Sequence, residues 1–490
     1  MRYTYLWLLA AGVVYGCAQA PPETQMINDA VAAVGGKAKV ESVSTLLLEG
    51  TGTNRNLGQN RTPEADLPVF QVTQFRRLID FGGGRARQEQ TRQAVPPPGA
   101  PPAQPQQQNV GIDGEVAYTV AADGRATRQD ARTASDRRSE FILHHPVGIL
   151  RAAMDPAAKV ANPRQVGDLD VVDVTTARNE QLTLALTRAT HRPASVTSMT
   201  YNVNLGDIAL ETTFADYETV DGLMLPKHLT SKLDKYPNTD LTFTKQTLNA
   251  PPTNLVAADD VKAAPAPVVT ANVTVEQVGK GIWLLAGQSH NSVLVEFADH
   301  LELVEVPQNE TRSLAAIAKA REVKPDKPLT KVILTHHHFD HSGGIRAAIS
   351  EGLTIVTQEG NKAFIEDMAQ RKHSIVPDAL SKKPSAPKVE TVRDEVTEKD
   401  AVQSMLLFKV DDPTAHSDSM LMAYFPNDKI LVQADFYNTA GAAQPRAPAL
   451  NDIIVKRKLT VAKHVPIHGS VKTQAEFLKI VQSMKAATAN

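Results

Sequence analysis

The chain has one cysteine in 490 residues. A lone thiol closes no intramolecular disulfide and builds no thiolate zinc site, so neither covalent stapling nor metal chemistry can rest on sulfur. A charge excess is missing too: 52 Lys and Arg face 54 Asp and Glu, a formal charge of −2. Without a positive surplus nothing holds a polyphosphate backbone, and no nucleic acid partner is expected. No apolar run reaches the ~20 residues of a membrane-spanning helix. What remains is an ordinary globular composition, 42% apolar and 22% charged, long enough for two or three domains at about 150 residues each.

The cysteine sits in an export segment. Arg2 is a short basic start, Tyr5 to Tyr15 are mostly apolar, and small residues follow, the pattern of a cleaved signal. Two cleavage sites compete. Ala18-Gln19-Ala20 has the small-x-small pattern but is followed by Pro21, whose fixed backbone is poorly tolerated there. Val14-Tyr15-Gly16-Cys17 is the better site and resembles a bacterial lipobox, departing from it at Tyr15, where a smaller residue is usual. Residues 1–20 therefore read as a signal peptide of lipoprotein type. The protein is expected to be exported, periplasmic or membrane-anchored through Cys17, with a lipid or membrane surface as a partner of the N-terminus. The alternative is a Cys17 discarded with the signal.

Thr24 to Val34 has apolar residues at helical spacing and stops at Gly35-Gly36. From Val43 to Asn249 alternating strands dominate, punctuated by turns such as Asp113-Gly114, so residues 21–250 read as a β-rich domain. Within it, the proline and glutamine tract Val95 to Gln108 is expected to form an exposed loop outside any ladder. Glu140 to Met154 reads as a helical stretch interrupted at Pro146, with His144 and His145 structural. Residues 251–272, rich in proline and alanine, read as a linker. Beyond it strands and helices alternate to the end of residues 273–490, an α/β layered pattern closed by the capping box Thr473-x-x-Glu476.

Ten of the 14 histidines lie after residue 289, and four fall in THHHFDHSGG, Thr335 to Gly344. His336 and His338 are two apart at a strand end and can project to one side, while Asp340 and His341 follow as the chain turns into a helix. Three more candidates stand at or just beyond strand ends: His416 in TAHSDS, Asp435 ending ILVQAD and His468 ending VPIH. An open α/β sheet gathers a site from such strand ends at one edge.

These residues carry a resemblance to the metallo-β-lactamase superfamily, which covers Lys280 to the C-terminus. It implies an αββα sandwich, so the overall fold class is α+β or α/β. It also implies two Zn2+ ions per chain: one on His336, His338 and His416, the other on Asp340, His341 and His468, with Asp435 bridging. Asp340 is carried over as the catalytic residue as well. His337, His373 and His464 match nothing in the pattern and read as outer or surface residues. Glu305 stands where members of the family often carry an outer aspartate. The activity implied is metal-dependent hydrolysis by a bridging hydroxide, with no protein nucleophile.

The small-molecule substrate is left open among ester, thioester, lactone, lactam and phosphodiester, with an arylsulfatase-type activity sharing the fold. In β-lactamases of the superfamily the position matched by Asp435 is usually cysteine or serine, which points away from lactams. The N-terminal half, through Thr190-His191-Arg192-Pro193 and the Asp216 to Pro226 segment, resembles LolA-like lipoprotein carriers of half-barrel fold. A lipid- or lipoprotein-binding carrier with a structural metal domain is therefore the competing reading. If Cys17 is the lipidated residue, Cys17→Ser should release the mature protein from the membrane fraction or block its processing. A processed variant that stays membrane-bound like the parent counts against the anchor.

Overall fold

The computed structural model describes residues 20–96, 104–411, 413–414, 416–441 and 444–489. The export segment, Cys17 included, lies outside the described residues except for Ala20.

Residues 45 to 248 build one open sheet of thirteen antiparallel strands among the described residues. Its two arms, Thr45–Arg128 and Lys159–Leu248, each run as a meander and join where Thr45–Arg55 pairs with Tyr236–Leu248. Alternation fixes the faces: Ile208, Leu210, Thr212 and Phe214 are buried while their neighbours are not. Asp221 and Gly222, both at positive φ, make the two-residue turn between Val220 and Leu223, as the right-handed twist of a hairpin requires.

Helices cover one face of this sheet. Helix Pro22–Ala33 starts on proline and turns Ile27, Ala30 and Val31 inward. Between the arms come helix Ala131–Arg138, the π-turn Ser139–Leu143 and helix Pro146–Met154. Pro146 thus opens the last helix, where it gives up no hydrogen bond. His144 and His145 are buried, and His144 is held by Thr212 and Ser198, each at 2.9 Å. Burial pushes both imidazoles down to about 3, so they are neutral structural residues.

One expectation fails in part. The tract Val95 to Gln108 does enter a ladder, since strand Gln106–Asp113 pairs Gln106, Gln107 and Gln108 with Arg92, Thr91 and Gln90. Its prolines stop at Pro105, and glutamine keeps the N–H that pairing needs. The stretch 251–272 carries helix Asp259–Ala263 and packs Leu255, Ala257 and Val261 on the first sheet around Leu78 and Tyr118.

Among the described residues from 274 onward, two further sheets lie face to face. The first takes seven strands in chain order, from Thr274–Gly279 to Lys388–Val392, with its last three pairings parallel. The second takes six, from Glu395–Lys399 to Lys472–Thr473. Leu284, Val293, Val295 and Ile333 of one sheet meet Leu407, Leu421, Phe425 and Val432 of the other in a shared core. The alternate residues point outward. Leu285, Leu294 and Leu303 pack under helices Glu310–Val323 and Ile345–Ser350, and Phe408, Met422 and Leu431 under helices Ala447–Lys456 and Gln474–Ala489. Helix, sheet, sheet and helix make four layers because the inner strands, such as Ser292–Glu296, Leu301–Val304 and Leu421–Phe425, are buried on both faces.

The last helix begins on the anticipated box: Thr473 N donates to Glu476 Oε2 (2.8 Å) and Glu476 N to Thr473 Oγ1 (3.2 Å). One residue later Phe477 is fully buried against Tyr437 and His464. Phe477→Ala should cost about 3–5 kcal/mol through the cavity it leaves, read as a lower urea midpoint. A midpoint equal to the parent's means that the outer helix does not stabilise its sheet.

Candidate metal centre

The strands deliver their ends to one edge of the sandwich. Strand Leu329–Ile333 leads into the loop carrying His336 and His338, and helix Phe339–Ser342 then presents Asp340 and His341. His416 lies between strands Ser404–Lys409 and Leu421–Phe425, Asp435 follows Ile430–Gln433, and His468 follows Lys463–Pro466. All seven residues singled out in the sequence converge here.

Asp435 is at the centre. Its Oδ2 lies 2.9 Å from His416 Nε2 and 3.1 Å from both His336 Nε2 and His341 Nε2, while Oδ1 lies 2.8 Å from His468 Nε2. The carboxylate is held well below the usual range: burial opposes its charge, but the imidazoles of His341, His336 and His416 outweigh that. The aspartate takes a left-handed backbone (φ 63°), and Gln433 secures the turn by accepting from the N–H groups of Phe436 and Tyr437.

Two sets of four side chains have ligand atoms within 4.8 Å of one another: His336, His338, His416 and Asp435, and His290, Asp340, His341 and His468. His290 is the residue that sequence reasoning missed. It is buried, its Nε2 lies 3.3 Å from Asp340 Oδ2, and its ring packs on His468 at 4.0 Å. Its one sequence signal is its place two residues before strand Ser292–Glu296, at the edge where the other strands end.

Burial drives His336 and His338 well below the ordinary imidazole range, so both are neutral, the form a metal ligand takes. Nδ1 of His338 is buried with no hydrogen-bond partner among the described residues. His341 is held well above that range; burial opposes its charge, and the Asp435 and Glu305 carboxylates overcome the penalty. Glu305 fills the outer role despite being longer than aspartate. Its Oε2 accepts from His341 Nδ1 (3.2 Å) and its Oε1 from Thr335 N (2.9 Å), from a backbone that is also left-handed (φ 72°). Residues holding such backbones around a polar cluster store strain that the surrounding fold must offset.

Of the three histidines read as outer or surface residues, none is on the surface. His337 is buried beside the centre, His373 is buried against Tyr201 and Asp378, and His464 bonds Gln474 (2.6 Å) under the last helix. A further group, His300, Glu302 and Glu398, sits apart from the centre with Lys331 among its carboxylates. Over the centre opens a cavity of about 410 Å³, lined by Asp340, His416, Asp435 and His468, by Asn438 and Arg446, and by Gln59, Val69, Phe70 and Val95 of the first sheet and its loop.

Glu305→Ala leaves two buried donors unpaired and puts alanine at a positive φ, so it should destabilise the metal-free protein by about 2–4 kcal/mol in urea unfolding. Wild-type stability in that variant means that Glu305 does not anchor His341.

Residues 287–441 match the model of the metallo-beta-lactamase superfamily, a span that holds every residue of the centre but His468. No curated protein matches the chain. Solved structures similar to it include the DIM-1 metallo-beta-lactamase (15% identity, 44% of this chain and 98% of that one, TM-score 0.34). Others are a metallo-beta-lactamase from Pontibacter korlensis (17%, 44% and 99%, TM-score 0.33) and the FIM-1 enzyme from Pseudomonas aeruginosa in its mono-zinc form (15%, 44% and 97%, TM-score 0.33). The chain thus carries a metallo-beta-lactamase superfamily domain at residues 287–441, and that domain supports a metal-dependent hydrolase.

Proposed function

We propose that the chain is an exported hydrolase with two zinc ions, acting on an ester, thioester, lactone or phosphodiester bond of a small molecule and weakly on lactams. Residues 273–490 are its hydrolase domain, and residues 21–250 a β-rich, LolA-like companion. The observation that carries this reading is the gathering of two ligand sets around one buried carboxylate, Asp435. His336, His338 and His416 would hold the first ion, Asp340, His341 and His468 the second, with His290 beside the second set and Asp435 shared. The donor chemistry fits: imidazoles and carboxylates suit zinc, His336 and His338 are held neutral, and His338 Nδ1 has no hydrogen-bond partner among the described residues. When bound, such ions supply an ionised water at neutral pH and a Lewis acid for a carbonyl or phosphoryl oxygen.

The chain's own residues orient the substrate. Arg446 brings a guanidinium to the cavity, where it donates to the carbonyl of Asp435 (3.4 Å) and keeps further N–H groups for an anionic or polar substrate group. Val69, Phe70 and Val95 give the opposite wall an apolar character suited to an alkyl or aryl group. Asp340, the most exposed acid of the centre at 40%, faces the cavity and is the carboxylate closest to entering reactants.

Metal analysis should find close to two ions per chain, and His336→Ala should lower content and turnover together. Asp435→Ala should cut second-metal occupancy and rate, and the parent should hydrolyse an ester-like or phosphodiester substrate much faster than a chromogenic cephalosporin. A folded, active protein without metal refutes the reading. Efficient cephalosporin turnover with Asp435→Ala unchanged in metal and rate refutes the substrate class.

A further inference from the structure

The metal centre is not built by the C-terminal layers alone. The loop between strands Thr45–Arg55 and Val69–Asp80 of the first sheet runs along the ligand loop; three successive residues engage it, and the next, Arg61, engages the segment of His416. Gly58 O accepts from Phe339 N (3.2 Å), and Gly58 lies so close that a Cβ would sit 2.1 Å from the Phe339 ring. Gln59 Nε2 donates to Asp340 Oδ1 (2.8 Å). The carbonyl of Asn60 accepts from His337 Nε2 (2.9 Å) and His338 Nε2 (3.0 Å). Arg61 pairs with Asp418 (2.7 Å) and accepts from its N–H (3.0 Å).

A carbonyl oxygen can only accept, so the ring nitrogen facing it must carry the proton. His338 is thereby fixed as the Nε2–H tautomer, and its lone pair stands on Nδ1, the buried nitrogen without a partner among the described residues. Asn60 holds its own carbonyl in place: its side chain is buried, and Nδ2 donates to the carbonyls of Thr62 (2.6 Å), Pro63 (2.9 Å) and Ala65 (3.3 Å). Gln59 takes one oxygen of Asp340 and leaves the other, 3.3 Å from His290, toward the second set.

We propose that this loop of the N-terminal sheet positions one ligand of each metal, Asn60 acting on His338 and Gln59 on Asp340, so that metal affinity belongs to both halves of the chain. The inference rests on the dinuclear reading above and adds two positioning residues to it. Outer hydrogen bonds of this kind fix ring orientation and tautomer, and their loss typically weakens metal binding about 10–100-fold.

The test uses the full-length protein, with Zn2+ affinity measured by chelator competition and the Co2+ spectrum read for each site. Asn60→Asp puts a carboxylate where three carbonyls need a donor, and should weaken the His336–His338–His416 site about 10-fold or more while the other site holds. Gln59→Leu, on a partly exposed side chain, should do the reverse, weakening the Asp340–His341–His468 site. It keeps the proposal testable should Asn60→Asp fail to fold. Site-selective losses with unchanged thermal midpoints support the proposal. If the parent binds two ions and both variants bind them as tightly, or lose both in proportion to a fall in midpoint, the loop has only a structural role and the proposal is overturned. A parent that binds no metal overturns the dinuclear reading itself.

Discussion

The carboxylate of Asp435 is the contact on which the centre depends. Four imidazoles, those of His336, His341, His416 and His468, reach one buried anion from three different segments of chain. A buried charge is tolerable only when partners surround it, and imidazoles crowded together are tolerable only around a charge of opposite sign or a cation. The arrangement is therefore self-consistent as a cluster and costly in parts. Its expense appears in the backbone, where both Asp435 and Glu305 sit in left-handed conformations secured by neighbouring hydrogen bonds.

The four-layer sandwich makes such a cluster affordable. Both faces of its two sheets are packed, so the strand ends that carry the ligands are fixed by a shared apolar core on one side and by helices on the other. A rigid frame of this kind holds side chains from distant segments within hydrogen-bond reach, the precondition for any pre-organised site. The outer residues extend that frame. Glu305 fixes His341 from the first sheet of the sandwich, and Gln433 fixes the turn of Asp435 from the second.

The N-terminal sheet bears on the same place. Val69, Phe70 and Val95 wall the cavity, and the loop before Val69 lies against the ligand segment. A substrate entering the cavity meets residues from both halves of the chain. This gives the β-rich region a direct physical part in shaping the cavity over the centre.

Much was legible in the sequence. HxHxDH spacing, and single His or Asp residues at strand ends, are local patterns; alternating and both-face apolar strands announce sheets; a Thr-x-x-Glu box announces its helix. Each depends on neighbours within a few residues, so the chain writes it in order. His290, Gln59 and Asn60 could not be read this way. His290 is 50 residues from Asp340, and Gln59 is 281. Their side chains are ordinary ones in ordinary loops, and only closure of the sheets brings them to the centre. The sufficiency of Glu305 in place of aspartate was equally hidden, since it turns on a backbone angle. The sequence by itself determined the kinds of side chain that gather at the centre and the layers that carry them. Tertiary structure decided which distant residues hydrogen-bond to those side chains, because a hydrogen bond between segments far apart in the chain exists only once both are folded.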